Sequence, residues 1–189
     1  MMEKILFVDA CVRPNSRTRE LAQVVLENLQ GDVRKIDLYE EKLQPLDLKT
    51  MTKRDEAAHS GLYEDPVFTQ ALQFAQADVI VIAAPFWDLM FPAVLKIYLE
   101  QITVTGITFR YSEQGRPVGL CRAKKLYYVT TAGGYLGEQS LGFAYVQALA
   151  KNFYGIEDVR CIFAQGLDIV GNDANAILEE AKQAAKAML

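Results

Sequence analysis

Hydroxyl and guanidinium side chains cluster early in the chain, where an apolar run gives way to a helical pattern. The stretch "CVRPNSRT", residues 11–18, contains Arg13, Ser16, Arg17 and Thr18. A helix start leaves backbone N–H groups unpaired and carries a partial positive charge, so hydroxyl and guanidinium groups beside it are suited to binding a phosphate. The stretch therefore predicts an anion-binding loop, although a residue such as Ser16 is also typical of a simple helix cap.

Two large aromatic residues follow a second apolar run. Phe86 and Trp87 lie in "PFWDLMFP", residues 85–92, directly after the continuously apolar "VIVIAA". Aromatic side chains at a loop tip are suited to a planar ligand, because they offer a large contact area with few rotatable bonds. The competing interpretation is that both rings pack into the core.

A pair of glycines marks a third loop. Gly133 and Gly134 lie in "TTAGGY", residues 130–135. Glycines permit a tight turn whose backbone N–H groups approach a ligand closely, and we expect the N–H groups from Ala132 to Gly134 to do so. A plain turn is equally compatible with two glycines.

Apolar runs of strand length alternate with segments of helical period, which is typical of an α/β fold with a parallel sheet and helices on both faces. The predicted strands are residues 4–10, 33–37, 79–84, 125–131 and 160–165. In such sheets ligands bind at the carboxyl ends of the strands, where the strand order reverses. The common order 2-1-3-4-5 places the first and third strands side by side there, so we expect the three loops to meet.

Five helices are predicted between and after these strands. Their apolar positions recur at helical spacing near residues 21–29, 68–75, 95–102, 141–149 and 177–185, and we assign them to the core. The charged segment 38–64 has only weak periodicity. It is compatible with a partly helical excursion or lid near a site, and equally with a solvated insertion. A length of 189 residues predicts one domain over residues 1–189.

Composition excludes several classes of function. A net charge of −4 argues against a nucleic-acid partner. No apolar run approaches the roughly 20 residues that cross a bilayer, so no membrane insertion is expected. Three widely spaced cysteines without a C-x-x-C pair indicate a reducing compartment, and we expect a cytoplasmic location. The only histidine, His59, has no neighbouring cysteine, so no metal site is predicted. Residues 11–18 also lack the glycine patterns of dinucleotide-binding and Walker phosphate loops.

A phosphate cradle, an aromatic wall and a glycine turn at three strand ends together match flavin mononucleotide (FMN) better than any of them does alone. The chain resembles the flavodoxin-like, FMN-dependent NAD(P)H:quinone oxidoreductase and azoreductase family over nearly its whole length. The most specific likeness is residues 77–111, followed by "GRPVGLCRAKKLYYVTTAGG". The resemblance implies a flavodoxin-like three-layer sandwich that binds FMN. It also implies ping-pong hydride transfer from NADH or NADPH to quinones, azo compounds or similar flat acceptors.

The resemblance also assigns roles to residues. In the family the first loop binds the FMN phosphate, the second lies along the isoalloxazine ring, and the third contacts the polar edge of the ring. The predicted cofactor-binding residues are Arg13, Ser16, Arg17, Thr18, Pro85, Phe86, Trp87, Asp88, Leu89, Thr131, Ala132, Gly133 and Gly134. A homodimer is implied, in which Phe109 and Tyr111 of one subunit line the site of the other. These two and Tyr135 are the predicted substrate-binding residues, and no side chain is predicted to be catalytic because the cofactor carries the chemistry.

Some positions depart from the family pattern. Cys11 replaces a serine, Asp88 replaces a frequent asparagine, and Thr131 and Ala132 replace a Ser-Arg or similar pair. Asp88 places an acidic group near the cofactor and leaves the electron acceptor undefined. The sequence does not distinguish NADH from NADPH. Cys11 is best interpreted as a small buried residue rather than a redox-sensitive thiol. Two further functions stay open, a single-electron carrier of the flavodoxin type and a non-enzymatic flavin-binding regulatory subunit.

Overall fold

A computed structural model describes residues 2–136 and 140–189 of the chain. Its strands are β1 (Glu3–Asp9), β2 (Gly31–Asp37), β3 (Val79–Ala83), β4 (Phe109–Tyr111), β5 (Pro117–Gly119), β6 (Lys125–Thr131) and β7 (Asp158–Ala164). Five of them form one parallel sheet in the order β2-β1-β3-β6-β7. Numbered within that sheet alone, the order is 2-1-3-4-5, which confirms the predicted fold.

Helices cover both faces of the sheet. They are α1 (Arg17–Asn28), α2 (Leu48–His59), α3 (Thr69–Gln76), α4 (Ala93–Ile102), α5 (Leu141–Leu149) and α6 (Ala174–Ala187). A 3₁₀ turn at Pro66–Phe68 precedes α3, and a π-helical segment at Ala150–Tyr154 continues α5. The core beneath α1 and α6 is separate from the core beneath α3, α4 and α5, so the described residues form three layers.

The central strand is the most buried part of the sheet, as its uninterrupted apolar sequence predicts. Every residue of β3 is buried, because helices cover the strand on either side. Side-chain caps begin the 3₁₀ turn before α3 and the predicted helix α1. The Asp65 carboxylate accepts from the Val67 N–H at 2.8 Å, and Ser16 Oγ accepts from the Arg19 N–H at 3.3 Å at the start of α1.

The register of the sheet brings three strand ends together. Asp9 of β1 pairs with Ala83 of β3, and Ala83 pairs with Val129 of β6. The pairing continues beyond the strands, because the Phe86 N–H donates to the Thr131 carbonyl at 3.0 Å. The loops that follow β1, β3 and β6 are therefore neighbours at one edge of the molecule.

The charged segment 38–64 contains α2, so the partly helical interpretation is correct. α2 lies against the end of α4, where Arg54 Nη2 donates to the Gln101 carbonyl at 3.4 Å and Ala57 is buried. The structure also contains an antiparallel hairpin, β4–β5, that the strand pattern did not predict. The prediction of one domain over residues 1–189 stays a prediction.

None of the helices in residues 2–136 and 140–189 combines the length and apolar character that a bilayer crossing requires.

Candidate functional site

A cleft of about 380 Å³ opens where the loops after β1, β3 and β6 meet. The loop after β7 closes one side of it. The residues that line the cleft are Val12, Arg13, Asn15, Ser16, Arg17, Thr18, Pro85, Phe86, Trp87, Thr131, Ala132, Gly133, Leu167 and Asp168. This is the reversal point of the strand order, between β1 and β3, where α/β sheets bind ligands.

Arg19 holds the loop after β1 through hydrogen bonds to its main-chain carbonyl groups. The Arg19 guanidinium donates to the Arg13 carbonyl at 2.7 Å, to the Pro14 carbonyl at 2.9 Å, and to the Cys11 carbonyl. Its Nε donates to Asp9 Oδ2 at 2.6 Å. Arg19 therefore fixes the main chain of the loop while lying outside the cleft.

Asp9 is a buried carboxylate at the end of β1. Besides Arg19, it accepts from Lys35 Nζ at 2.9 Å and from the Cys11 N–H at 3.0 Å. Burial alone would raise the pKa of the Asp9 carboxyl, but the hydrogen bonds from Arg19 and Lys35 outweigh burial and hold that pKa below its usual value. Asp9 thus stays ionised at neutral pH and anchors the loop.

Two side-chain pairs join the first loop to its neighbours. Arg17 Nη1 donates to Asp168 Oδ1 at 2.8 Å, and both groups are exposed at the cleft. Thr18 is buried, and its hydroxyl lies 2.6 Å from the hydroxyl of Thr131. Because an exposed ion pair contributes little free energy, Arg17 can exchange Asp168 for another anion. Thr18 instead ties α1 to the end of β6.

The loop after β3, residues 85–92, contains a tight turn at Asp88 and Leu89. The Trp87 N–H donates to the Met90 carbonyl at 3.1 Å, and the Met90 N–H donates to the Trp87 carbonyl at 2.7 Å. Between them Asp88 and Leu89 have φ angles of 49° and 67°. This left-handed backbone is disfavoured for residues with a Cβ, most of all for Leu89. The turn holds the partly exposed Trp87 at the cleft, while Asp88 and Leu89 lie at its outer tip.

The loop after β6, which contains Gly133 and Gly134, differs from the prediction that all three N–H groups from Ala132 to Gly134 face a ligand. The Ala132 N–H is not free for a ligand, because it donates to the Ala164 carbonyl at 2.9 Å and so extends the pairing of β6 with β7. Within residues 2–136 and 140–189, the Gly133 and Gly134 N–H groups have no acceptor. Their carbonyl groups accept from the N–H groups of Asp168 and Gly166, which fixes the turn. Of the three N–H groups predicted as donors, those of Gly133 and Gly134 therefore remain available as far as the described residues go.

Comparison with known proteins identifies the family of the chain. Residues 3–189 match the family described as having a flavodoxin-like fold. The chain is 37% identical, over 98% of its length and 99% of the relative, to the FMN-dependent NADH:quinone oxidoreductase 2 of Clostridium acetobutylicum. It is 38% identical to the FMN-dependent NADH:quinone oxidoreductase of Coprothermobacter proteolyticus, over 98% and 99% of the two chains. The chain belongs to the flavodoxin-like quinone oxidoreductase family.

Structural similarity agrees with this family. The crystal structure of an azoreductase from Bacillus anthracis superimposes with a TM-score of 0.84 at 26% identity, over 99% of this chain and 98% of that one. The fold of the chain thus agrees with its membership of the flavodoxin-like quinone oxidoreductase family.

The structure brings most of the predicted site residues of this family member together, but not all of them. Ten of them line one cleft: Arg13, Ser16, Arg17, Thr18, Pro85, Phe86, Trp87, Thr131, Ala132 and Gly133. Asp88, Leu89 and Gly134 flank the cleft without lining it. Tyr111 and Tyr135 are exposed to solvent and do not line the cleft. Phe109 is only 5% exposed and packs edge-on against Phe153, with ring centroids 4.9 Å apart, so it belongs to the core of its own chain.

Sequence analysis missed four lining residues: Val12, Asn15, Leu167 and Asp168. Val12 and Asn15 lie inside the predicted anion-binding loop, so naming every residue of that loop would have included them. Asp168 follows the carboxyl end of β7, in "AQGLD", where a glycine and a carboxylate after a strand were the available signal. It was overlooked because its partner Arg17 is distant in sequence.

The thiol groups are expected to be unreactive in the folded protein. Burial raises the pKa of Cys11, Cys121 and Cys161 to about 12 each. At pH 8 only about one such thiol in ten thousand is ionised, and the thiolate is the reactive form. We expect Ellman's reagent to label the native protein slowly and all three thiols rapidly in guanidinium chloride. Rapid labelling of a native thiol would contradict this expectation.

Cys11 is confirmed as a buried residue.

Proposed function

We propose that the chain is an FMN-dependent NAD(P)H oxidoreductase that reduces quinones, azo compounds or similar flat acceptors. The observation that carries the proposal is one cleft that joins an anion-binding loop, an aromatic turn and a glycine turn, where the Gly133 and Gly134 N–H groups have no acceptor among the backbone groups of residues 2–136 and 140–189. Its volume of about 380 Å³ falls in the range of small-molecule sites.

The residues present fit FMN in charge and in shape. At one end the cleft has the start of α1, with the cations Arg13 and Arg17, which suits a phosphate dianion. Along the loop after β3 it has Phe86 and Trp87, which suit a planar ring system. We assign the phosphate to the first loop and the ring to the aromatic turn and to Thr131–Gly133.

Bound FMN would accept two electrons from NADH or NADPH and deliver them to the acceptor in a ping-pong cycle. The chain's own residues bind and orient the reactants. The Gly133 and Gly134 N–H groups are placed to stabilise negative charge on a ligand, since fixed backbone donors need no reorganisation during reaction. Trp87, which is 42% exposed, offers aromatic surface to a flat acceptor at the cleft.

The assembly and location of the protein are part of the same proposal. We propose a homodimer, which the exposed aromatic side chains Tyr111 (55%) and Tyr135 (69%) support, because such groups are enriched at protein interfaces. Tyr111 remains the hairpin residue proposed to face the partner subunit's cleft, and Tyr135 remains a proposed substrate contact. We also propose that the chain is one domain and works in the cytoplasm.

The visible spectrum tests the proposed activity. The protein purified with excess FMN and then desalted is expected to be yellow, and anaerobic NADH or NADPH is expected to bleach it. Addition of a quinone should restore the colour, because the acceptor takes the two electrons. A protein that stays colourless after reconstitution would contradict FMN binding. A yellow protein that neither nicotinamide reduces would contradict the oxidoreductase and favour an electron carrier or a regulatory subunit.

A further inference from the structure

Arg19 shapes the anion-binding loop without lining the cleft. One guanidinium serves four acceptors: the carbonyl groups of Cys11, Arg13 and Pro14, and the Asp9 carboxylate. A planar fork with five N–H donors can do this, whereas an ammonium group has only three donors on one atom. The conformation of the loop therefore depends on this particular side chain.

The direction of these carbonyl groups sets the direction of the N–H groups in the loop. In a trans peptide the C=O and N–H groups point in opposite directions, and the described part of the chain contains no cis peptide. The Cys11 carbonyl points to Arg19, so the Val12 N–H points away from Arg19. The Pro14 carbonyl likewise turns the Asn15 N–H away. Val12 and Asn15 line the cleft, whereas Arg19 does not.

Asp9 in turn holds Arg19. The Asp9 side chain is fully buried and accepts from Arg19 Nε at 2.6 Å, while the exposed fraction of the Arg19 side chain is 25%. Lys35 binds the same oxygen at 2.9 Å, so the carboxylate is held from two sides. Because the Asp9 carboxylate is buried and paired with two cations, it fixes the orientation of the Arg19 guanidinium.

We propose that Arg19 is a positioning residue that presents the Val12 and Asn15 N–H groups to an oxyanion in the cleft. The inference rests on the proposed function, with the FMN phosphate as that oxyanion. Arg19 acts through the main chain, so its shape matters as well as its charge. Arg19→Lys keeps the charge and removes the fork, which separates these two contributions.

The test compares FMN with riboflavin, which has the same ring and ribityl chain but no phosphate. Both flavins are titrated into the apoprotein and binding is measured from flavin fluorescence. The dissociation constant of riboflavin divided by that of FMN reports the contribution of the phosphate. We expect Arg19→Lys to weaken FMN binding about tenfold or more. The Val12 and Asn15 N–H groups would no longer be held in place and would lose their hydrogen bonds to the charged phosphate. Riboflavin binding should be unchanged.

Arg122→Lys is the matched control. Arg122 Nη2 pairs with Asp78 Oδ1 at 2.8 Å next to the amino end of β3, far along the sheet from the cleft. The same chemical change there should leave both dissociation constants unchanged. Thermal unfolding of each variant shows whether it is folded at the temperature of the titration.

The possible outcomes separate this inference from the proposed function. An unchanged ratio in folded Arg19→Lys, or equal weakening of both flavins, would overturn the positioning role and leave the proposed function standing. A wild-type protein that binds neither flavin would overturn the proposed function itself. If Arg19→Lys does not fold, the ratio is measured in Asp9→Asn, which keeps the shape of Asp9 but removes its charge. The same fall in the ratio is expected there, and an unchanged ratio would overturn the inference.

Discussion

Replacing Gly133 with valine is expected to weaken FMN binding by about tenfold to a hundredfold. A Cβ at residue 133 would overlap the Asp168 carboxylate, and Asp168 lines the cleft and holds Arg17. The carboxylate must then move and release Arg17, while the valine methyl groups occupy space in the cleft. Overpacking costs about 1–3 kcal/mol, and because the exposed Asp168 side chain can rotate aside we expect a value below the top of that range, which corresponds to about tenfold to a hundredfold in affinity. Quenching of Trp87, the only tryptophan in the chain, measures FMN binding directly.

Two further variants show whether Asp168 is the cause. Gly134→Val places its Cβ where no atom of the described chain lies within 4 Å, so the apoprotein should tolerate it. A loss of FMN binding in that variant would report contact with the ligand rather than with Asp168. Gly133→Ala should bind FMN more tightly in an Asp168→Ala background than alone, because the overlap is gone. Additive effects of the two substitutions would contradict the explanation.

Replacing Gly119 with valine is expected to lower the free energy of unfolding by about 3 kcal/mol, at the upper end for overpacking. A Cβ at residue 119 would overlap the main chain of Tyr154 and Gly155 at the end of the π-helical segment. Backbone atoms cannot rotate aside as a side chain can, so the β4–β5 hairpin must separate from the segment. Separation would expose Phe109, which packs against Phe153 of that segment. Urea unfolding measures the loss.

Val118→Ala is the control for Gly119→Val because it changes the neighbouring residue of the same strand. Val118 is 37% exposed, so its truncation should change the free energy of unfolding by well under about 1 kcal/mol. A Gly119→Val protein as stable as Val118→Ala would show that the hairpin packs differently. Since Tyr111 lies on this hairpin, Gly119→Val should also weaken the proposed homodimer, which sedimentation measures.

The sheet and the convergence of the three loops were predictable because they depend on local patterns. Apolar runs identified five strands to within two residues at each end, and the common strand order placed their carboxyl ends together. The alternative functions of Ser16 illustrate what remained ambiguous. Ser16 caps α1 and also lines the cleft, so the two interpretations of the residue are compatible.

The side-chain partners were not predictable, because they depend on how separate segments of the chain pack together in the fold. Three arginines stand in residues 13–19, and nothing in their spacing distinguishes them. The fold directs Arg19 to the buried Asp9 and Arg17 to Asp168. The β4–β5 hairpin was missed because its strands have only three residues each, too few to show an alternating pattern.

The amino-acid sequence by itself determined the α/β sheet, the layer arrangement and three of the four loops that line the cleft. Hydrophobic period and turn residues act over short distances and are therefore visible along the chain. Only the tertiary structure decided which N–H groups are free. Ala132 is engaged because β7 pairs beside it, whereas the glycines after it lie beyond that pairing. Hydrogen-bond partners are set by where distant segments pack, and that information exists only once the chain has folded.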